Sequence, residues 1–154
     1  METIQGKAVE LDIDHTWVGC IIESIKDEMP YVLLVRDKNN LWGLPGGGAE
    51  PGEKFNFTGM REIYEEAGVK TMARLMKKVY SYINRFGNGS VTKYIVCHYR
   101  GHVPWFETKN ITNDSDVVEA RMFPRNYVLN VMLNQRDVKN KDKHLIEKAY
   151  KRIV

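Results

Sequence analysis

Three glutamates fall within five consecutive positions, Glu62, Glu65 and Glu66, with Arg61 before them and Gly68 behind. Glycine just past a periodic run is a common helix stop. The carboxylates therefore crowd the last turns of a helix, where the macrodipole is negative and prefers cations. Glu62 and Glu66 are like charges one turn apart, which costs about 0.2–0.5 kcal/mol, and the Arg61–Glu65 pair runs in the less favourable order. A structural helix gains nothing from this arrangement. A bound divalent cation reverses the sign of these terms, and carboxylate oxygens are the ligands that Mg²⁺ and Mn²⁺ prefer.

The segment before the helix, LWGLPGGGAEPGE, holds five glycines and two prolines in thirteen residues. Gly46, Gly47 and Gly48 let the backbone approach a ligand closely, and a peptide carbonyl there can serve as a metal ligand. No Lys-Ser/Thr follows, so this is not a Walker loop. On a helical wheel Glu62, Glu65 and Glu66 share one face with Arg61. Phe57, Met60, Ile63, Tyr64 and Ala67 occupy the other, which is expected to be buried. Gly59 in mid-helix costs about 1 kcal/mol relative to alanine, which close packing against a neighbour would explain.

Gly47, then Glu53, then Arg61-Glu62-Ile63-Tyr64-Glu65-Glu66-Ala67-Gly68-Val69 matches the pattern G-x5-E-x7-R-E-U-x-E-E-x-G-U, with U a bulky aliphatic residue. In this the chain resembles the Nudix hydrolases, whose box has that pattern at all its fixed positions. The resemblance implies an α+β domain, an α/β/α sandwich with a mixed sheet and a catalytic loop–helix–loop. It implies hydrolysis of a diphosphate linkage in a nucleoside diphosphate joined to another group X. It implies that Glu62, Glu65 and Glu66 hold Mg²⁺ or Mn²⁺ with the Gly47 carbonyl. Arg61 would orient a glutamate, and Glu53 would brace the loop. Gly46, Gly48 and Arg36, at the end of the preceding strand, are candidates for substrate contact. The general base is a box glutamate or an acid outside the box, with Asp114, Asp116 and Glu119 the candidates and Glu107 behind them. The partner implied is a small nucleotide derivative, and a homodimer stays open. Residues sixteen to eighteen beyond the box are Arg85, Phe86 and Gly87, so the Pro or Tyr that marks some subgroups is absent. A catalytically silent sensor of a nucleotide metabolite and an RNA 5′-end pyrophosphohydrolase are the alternatives.

The elements that must position these residues follow from local pattern. Trp17–Ser24 and Tyr31–Asp37 read as strands, separated by KDEMP. Lys54–Ala67 reads as the helix. Val79–Ile83 and Val91–Tyr99 read as strands joined by a turn at Asn88-Gly89. ITNDS reads as a loop, Val117–Phe123 as a strand, and Tyr127–Leu133 and Lys143–Ile153 as helices. The order lacks a βαβ alternation, which favours α+β.

The 154 residues, 43% hydrophobic and 28% charged, suit one domain. A net charge of +3 argues against a nucleic-acid binder. The cations of the last sixteen residues read as a solvated helix face. No apolar run reaches membrane-spanning length, and METIQGKAVELDIDH does not resemble a secretory signal. Cys20 and Cys97 read as buried free thiols, which points to a cytoplasmic location. Trp17, Tyr82, Phe86 and Trp105 read as core rather than base-stacking residues. His15, His98 and His102 show no metal spacing and read as structural.

Overall fold

In a computed structural model of the chain, residues 12–112 and 116–153 are described, together with the backbone of 2–4 and 7–9. The strands are β1 (Glu2–Ile4), β2 (Lys7–Val9), β3 (His15–Ile21), β4 (Glu23–Lys26), β5 (Met29–Asp37), β6 (Trp42–Gly43), β7 (Gly46–Gly48), β8 (Met76–Arg85), β9 (Val91–Tyr99), β10 (Thr108–Asn110) and β11 (Val117–Pro124). The helices are α1 (Phe55–Ala67), α2 (Arg125–Asn130) and α3 (Asn140–Ile153). One sheet has the order β7-β3-β9-β8, with β3 and β9 parallel and the other pairs antiparallel. The other runs β10-β11-β5-β4, antiparallel, with β6 also on β5. β1 and β2 pair with each other.

The central strands are buried on both faces, so their side chains alternate between two cores. Val18, Cys20, Leu33, Val35, Ile95 and Cys97 pack with Ile63 and Ala67 of α1. Ile21, Val32, Leu34 and Val96 pack with Leu145, Ile146 and Ala149 of α3. Helix, strands and helix thus form the three layers that the resemblance implied. No helix among the described residues is long and apolar enough to cross a membrane.

Several boundaries differ from the sequence expectation. Trp17–Ser24 is two strands, because the chain passes from one sheet to the other at Ile22, whose carbonyl accepts the Leu33 amide at 2.9 Å. The hairpin after β4 turns at Asp27 and Glu28, both at positive φ. Asn88-Gly89 turns as expected, with Gly89 at φ 88°. The segment Tyr127–Leu133 divides into α2 and a 3₁₀ turn at Met132–Asn134, and α3 starts three residues before Lys143. The glycine run expected as a loop is strand β7, paired to β3. Asp114 lies outside the described residues.

α1 buries a different stripe from the one its apolar residues suggest. Thr58, Gly59, Ile63 and Ala67 are buried, while Phe57 and Tyr64 are exposed. The helix is rolled toward β7, where glycines leave room on the Glu62 and Glu66 flank. Gly59 faces Cys20: a Cβ there would stand 2.8 Å from the Cys20 Sγ, which is fully buried. Helix propensity alone makes Gly59→Ala stabilising by about 1 kcal/mol. We expect the opposite sign, a loss of about 1–3 kcal/mol from overpacking, measured by urea denaturation.

Glu23 of β4 ties its sheet to β9, α2 and α3. Its carboxylate meets His98 Nε2 at 3.0 Å and accepts from Tyr150 Oη at 2.9 Å and Arg125 at 3.2 Å. Burial alone would raise its pKa, but the His98 and Tyr150 hydrogen bonds and the Arg125 charge bring it below the ordinary glutamate value. A lowered folded-state pKa gives stability that is present above the unfolded value, near 4.3, and is lost as pH falls through the folded one. Glu23→Gln should therefore cost stability at pH 7 and flatten the acid limb of the melting-temperature profile. An unchanged limb would show that Glu23 contributes nothing to acid unfolding.

Candidate active site

β7 lies along β3 with Gly48 opposite Trp17, Gly47 opposite Val18 and Gly46 opposite Gly19. Side chains have no space at Gly46 and Gly47, whereas Gly48 is open. A Cβ on Gly46 would collide with the Val18 carbonyl, and one on Gly47 with the Glu62 carboxyl. The glycines thus admit two glutamates of α1 against a backbone edge. The Gly46 amide donates to Glu66 Oε1 at 2.6 Å.

Arg61 is the hub on the other side. Its Nε and Nη2 make a forked pair with Glu53, at 3.0 and 2.9 Å. Nη1 donates to Glu62 at 2.8 Å, and Nη2 also reaches the Gly48 carbonyl at 3.0 Å. The expected Arg61–Glu65 pair is the longest of these contacts, at 3.5 Å. Planar, bidentate geometry is what guanidinium supplies and ammonium does not. Glu53 also accepts from the Thr58 hydroxyl at 2.7 Å and the Glu50 amide at 3.2 Å. The Arg61 hydrogen bond holds the Glu53 carboxyl at about 2 despite partial burial.

The other acids behave differently. Burial pushes Glu66 up to about 8, with the Glu62 charge adding to the shift and the Gly46 amide opposing it. Burial also raises Glu62, against the pull of Arg61. Glu65 is the more exposed of the set. The three share one neighbourhood without meeting at a point. Among the described residues no group of three His, Cys, Asp or Glu side chains converges as a preformed metal site.

Cavities open on either side of this ridge. One of about 720 Å³ is lined by His15, Gly48, Glu50, Glu53, Phe55 and Lys93. The other, about 410 Å³, is lined by Asp37, Lys38, Asn39, Glu66, Asp116 and Lys139. Asp116 therefore shares a space with Glu66, whereas Glu119 does not line it. Glu119 is engaged by Arg36 at 2.9 Å, Arg121 at 2.8 Å and Thr108 at 2.8 Å. Burial would raise its carboxyl, but these partners bring it below the ordinary value. Arg36 is committed to Glu119 and to Asn40 Oδ1, 2.7 Å away. Glu107 meets the sheet through its carbonyl, which accepts the Met122 amide.

Sequence reasoning missed the contribution of the segment that opens α3. Asp142 is buried, with the Leu44 amide donating to it at 3.2 Å and Gly43 packed on its carboxyl. Lys141 lies 3.7 Å from the centre of the Trp17 ring. Lys139 meets Asp37 at 3.2 Å. Its only sequence signal was a basic, amphipathic helix, which reads as a solvated face. Trp17, Tyr82 and Tyr94 pack with the α3 core and Trp105 packs edge-on to Tyr31, as expected, but Phe86, expected in the core, is exposed because it sits at the turn of the β8–β9 hairpin. Cys20 and Cys97 are free and buried.

The NUDIX domain family model matches residues 14–148. The chain belongs to the Nudix family. Mouse "Nucleoside diphosphate-linked moiety X motif 6" is 40% identical over 70 residues, 43% of this chain and 22% of that protein. Mouse "Diphosphoinositol polyphosphate phosphohydrolase 3-alpha" is 45% identical over 53 residues, 33% of this chain and 30% of that protein. The matches thus span under a third of either relative. Among solved structures, the Nudix domain of Shewanella oneidensis NrtR, in complex with ADP ribose, superposes with a TM-score of 0.64 at 22% identity, covering 95% of this chain and 91% of that one. The MutT protein of Methanosarcina mazei gives 0.65 at 19% identity, covering 92% and 97%. The Nudix fold is therefore common to this chain and these structures.

Proposed function

We propose that this Nudix protein hydrolyses a diphosphate linkage in a nucleoside diphosphate joined to another group X. The observation that carries the reading is the placement of Glu62 and Glu66 against a side-chain-free glycine edge, with Arg61 bracing Glu53 and Glu62. The name of the mouse and human relatives describes the same class of linkage.

The donor set fits a hard divalent cation, Mg²⁺ or Mn²⁺. Its members are carboxylate oxygens beside a backbone edge, and the Glu62 carboxyl fills the space a Cβ on Gly47 would take. Glu62, Glu65 and Glu66 would hold the cation together with the Gly47 carbonyl. When bound, it screens the diphosphate charge and lowers the pKa of water. Arg61 fixes the rotamers of Glu53 and Glu62 through charge-assisted hydrogen bonds, so that little is reorganised on binding. A carboxylate accepts the proton of the attacking water. Among the acids outside the box, Asp116 suits that part better than Glu119, because it lines the Glu66 cavity and its side chain is almost fully exposed. Two free buried thiols support a cytoplasmic location.

The reading is tested on a substrate panel with Mg²⁺, Mn²⁺ or EDTA: ADP-ribose, dinucleoside polyphosphates, nucleoside triphosphates, nucleotide sugars, a diphosphoinositol polyphosphate and capped RNA. We expect cation-dependent release of a phosphorylated product from at least one small substrate. Tight binding without turnover would favour a silent sensor. Activity confined to RNA, with a steep salt dependence, would favour a 5′-end hydrolase.

A further inference from the structure

We propose that Lys38 and Lys139 form a two-ammonium clamp that selects substrates carrying a phosphate beyond the scissile linkage. This rests on the hydrolase reading above. The sequence offered Arg36 as the phosphate contact, yet its guanidinium is taken by Glu119 and Asn40. The cations that line the cavity shared with Glu66 are Lys38 and Lys139.

Both come from outside the box, and the fold aims them. Asp37 Oδ1 accepts the Asn39 and Leu41 amides at 2.8 and 3.1 Å, which fixes the carboxylate and leaves Oδ2 to Lys139 Nζ at 3.2 Å. The Lys139 backbone is pinned as well, its amide to the Trp42 carbonyl and its carbonyl to the Lys143 amide, both at 3.0 Å. Lys38 is looser. Its Nζ is 3.9 Å from Asp116, and both side chains are largely exposed. One ammonium is therefore preset and the other free to close on an anion. Ammonium groups are compact charges suited to a tetrahedral phosphate. A neutral sugar in the same place would leave them with only their aspartates. The phosphate can be the terminal one of a nucleoside triphosphate or a ring phosphate of a polyphosphorylated inositol.

The test compares the wild type with a Lys38→Ala/Lys139→Ala double variant. The readout is the ratio of kcat/KM on each phosphate-bearing substrate to that on ADP-ribose, whose two phosphates both lie in the scissile linkage. The ratio should fall about tenfold or more. A fall for the triphosphate, the diphosphoinositol polyphosphate or both identifies the source of the phosphate. Any effect transmitted through Glu66 would lower all substrates alike and leave the ratio unmoved. Ratios within about twofold of wild type for both sources would overturn the clamp. Lys139→Arg should restore part of the preference. If the double variant does not fold, Lys38→Ala alone serves, since its loose surface pair carries little stability. If the wild type turns over none of these substrates, the hydrolase reading fails separately. Calorimetry with inorganic tripolyphosphate then decides the clamp: weaker binding by the variant supports it, and equal binding refutes it.

Discussion

Glu62→Gln and Glu66→Gln should each lower kcat by about 100-fold or more, with a smaller change in KM. The amide keeps the shape of the side chain and loses only its charge. Charge at this edge matters most when the diphosphate is reacting, so the loss should appear in turnover rather than in substrate binding. The same substitution separates function from folding. Glu66 is half-buried beside Glu62, and desolvation pushes its carboxyl up to about 8. A glutamine can still accept the Gly46 amide. The metal-free Glu66→Gln protein should therefore melt at or slightly above the wild-type temperature, and added Mg²⁺ should stabilise the wild type more than the variant. A loss of several degrees without metal would make Glu66 structural. Asp116→Asn and Glu119→Gln belong in the same series. A fall as deep as that of Glu62→Gln for either would place the base outside the box.

Arg61→Ala should be the most damaging single change to this region, affecting both stability and turnover. One guanidinium pairs with both Glu53 and Glu62, holds the Gly48 carbonyl and reaches Glu65. Removing it leaves carboxylates that are largely out of water without a cation. Loss of one partner from such a pair costs about 3–5 kcal/mol when fully buried. Here Arg61 retains 25% exposure, so about 2–4 kcal/mol is expected by urea denaturation. Lys cannot fork, so Arg61→Lys should recover only part of this. If Arg61→Lys were as stable as wild type, the bidentate geometry would contribute nothing.

The box was legible because its residues are local. A helix, a glycine run and a fixed spacing carry most of the arrangement, and Glu53, Arg61 and Glu62 meet as the pattern implies. The α/β/α layering could be read from the same resemblance and from strand runs such as Tyr31–Asp37. What could not be read depends on long-range register. The glycine run becomes strand β7 only because β3 lies beside it. The roll of α1, which half-buries Glu66 and exposes Tyr64, depends on the absence of side chains on a neighbouring strand. The capture of Arg36 by Glu119 joins residues on two strands whose pairing no local pattern announces. Lys139 reaches the cavity because α3 begins earlier than its apolar periodicity shows, and its Asp37 partner lies about a hundred residues away.

The most direct test of the central claim is the position of the new oxygen. Cys20, which feels the charges of Glu62 and Glu66, is fully buried, and the Cys97 hydrogen bond together with burial raises its thiol pKa well above the ordinary value, so water itself should attack phosphorus without a covalent enzyme intermediate. Hydrolysis of a confirmed substrate in ¹⁸O-labelled water should put the label on a phosphate product, and single-turnover reactions should trap no phosphoryl- or nucleotidyl-enzyme. Label on the sugar or alcohol carbon, or a trapped covalent adduct, would contradict the account.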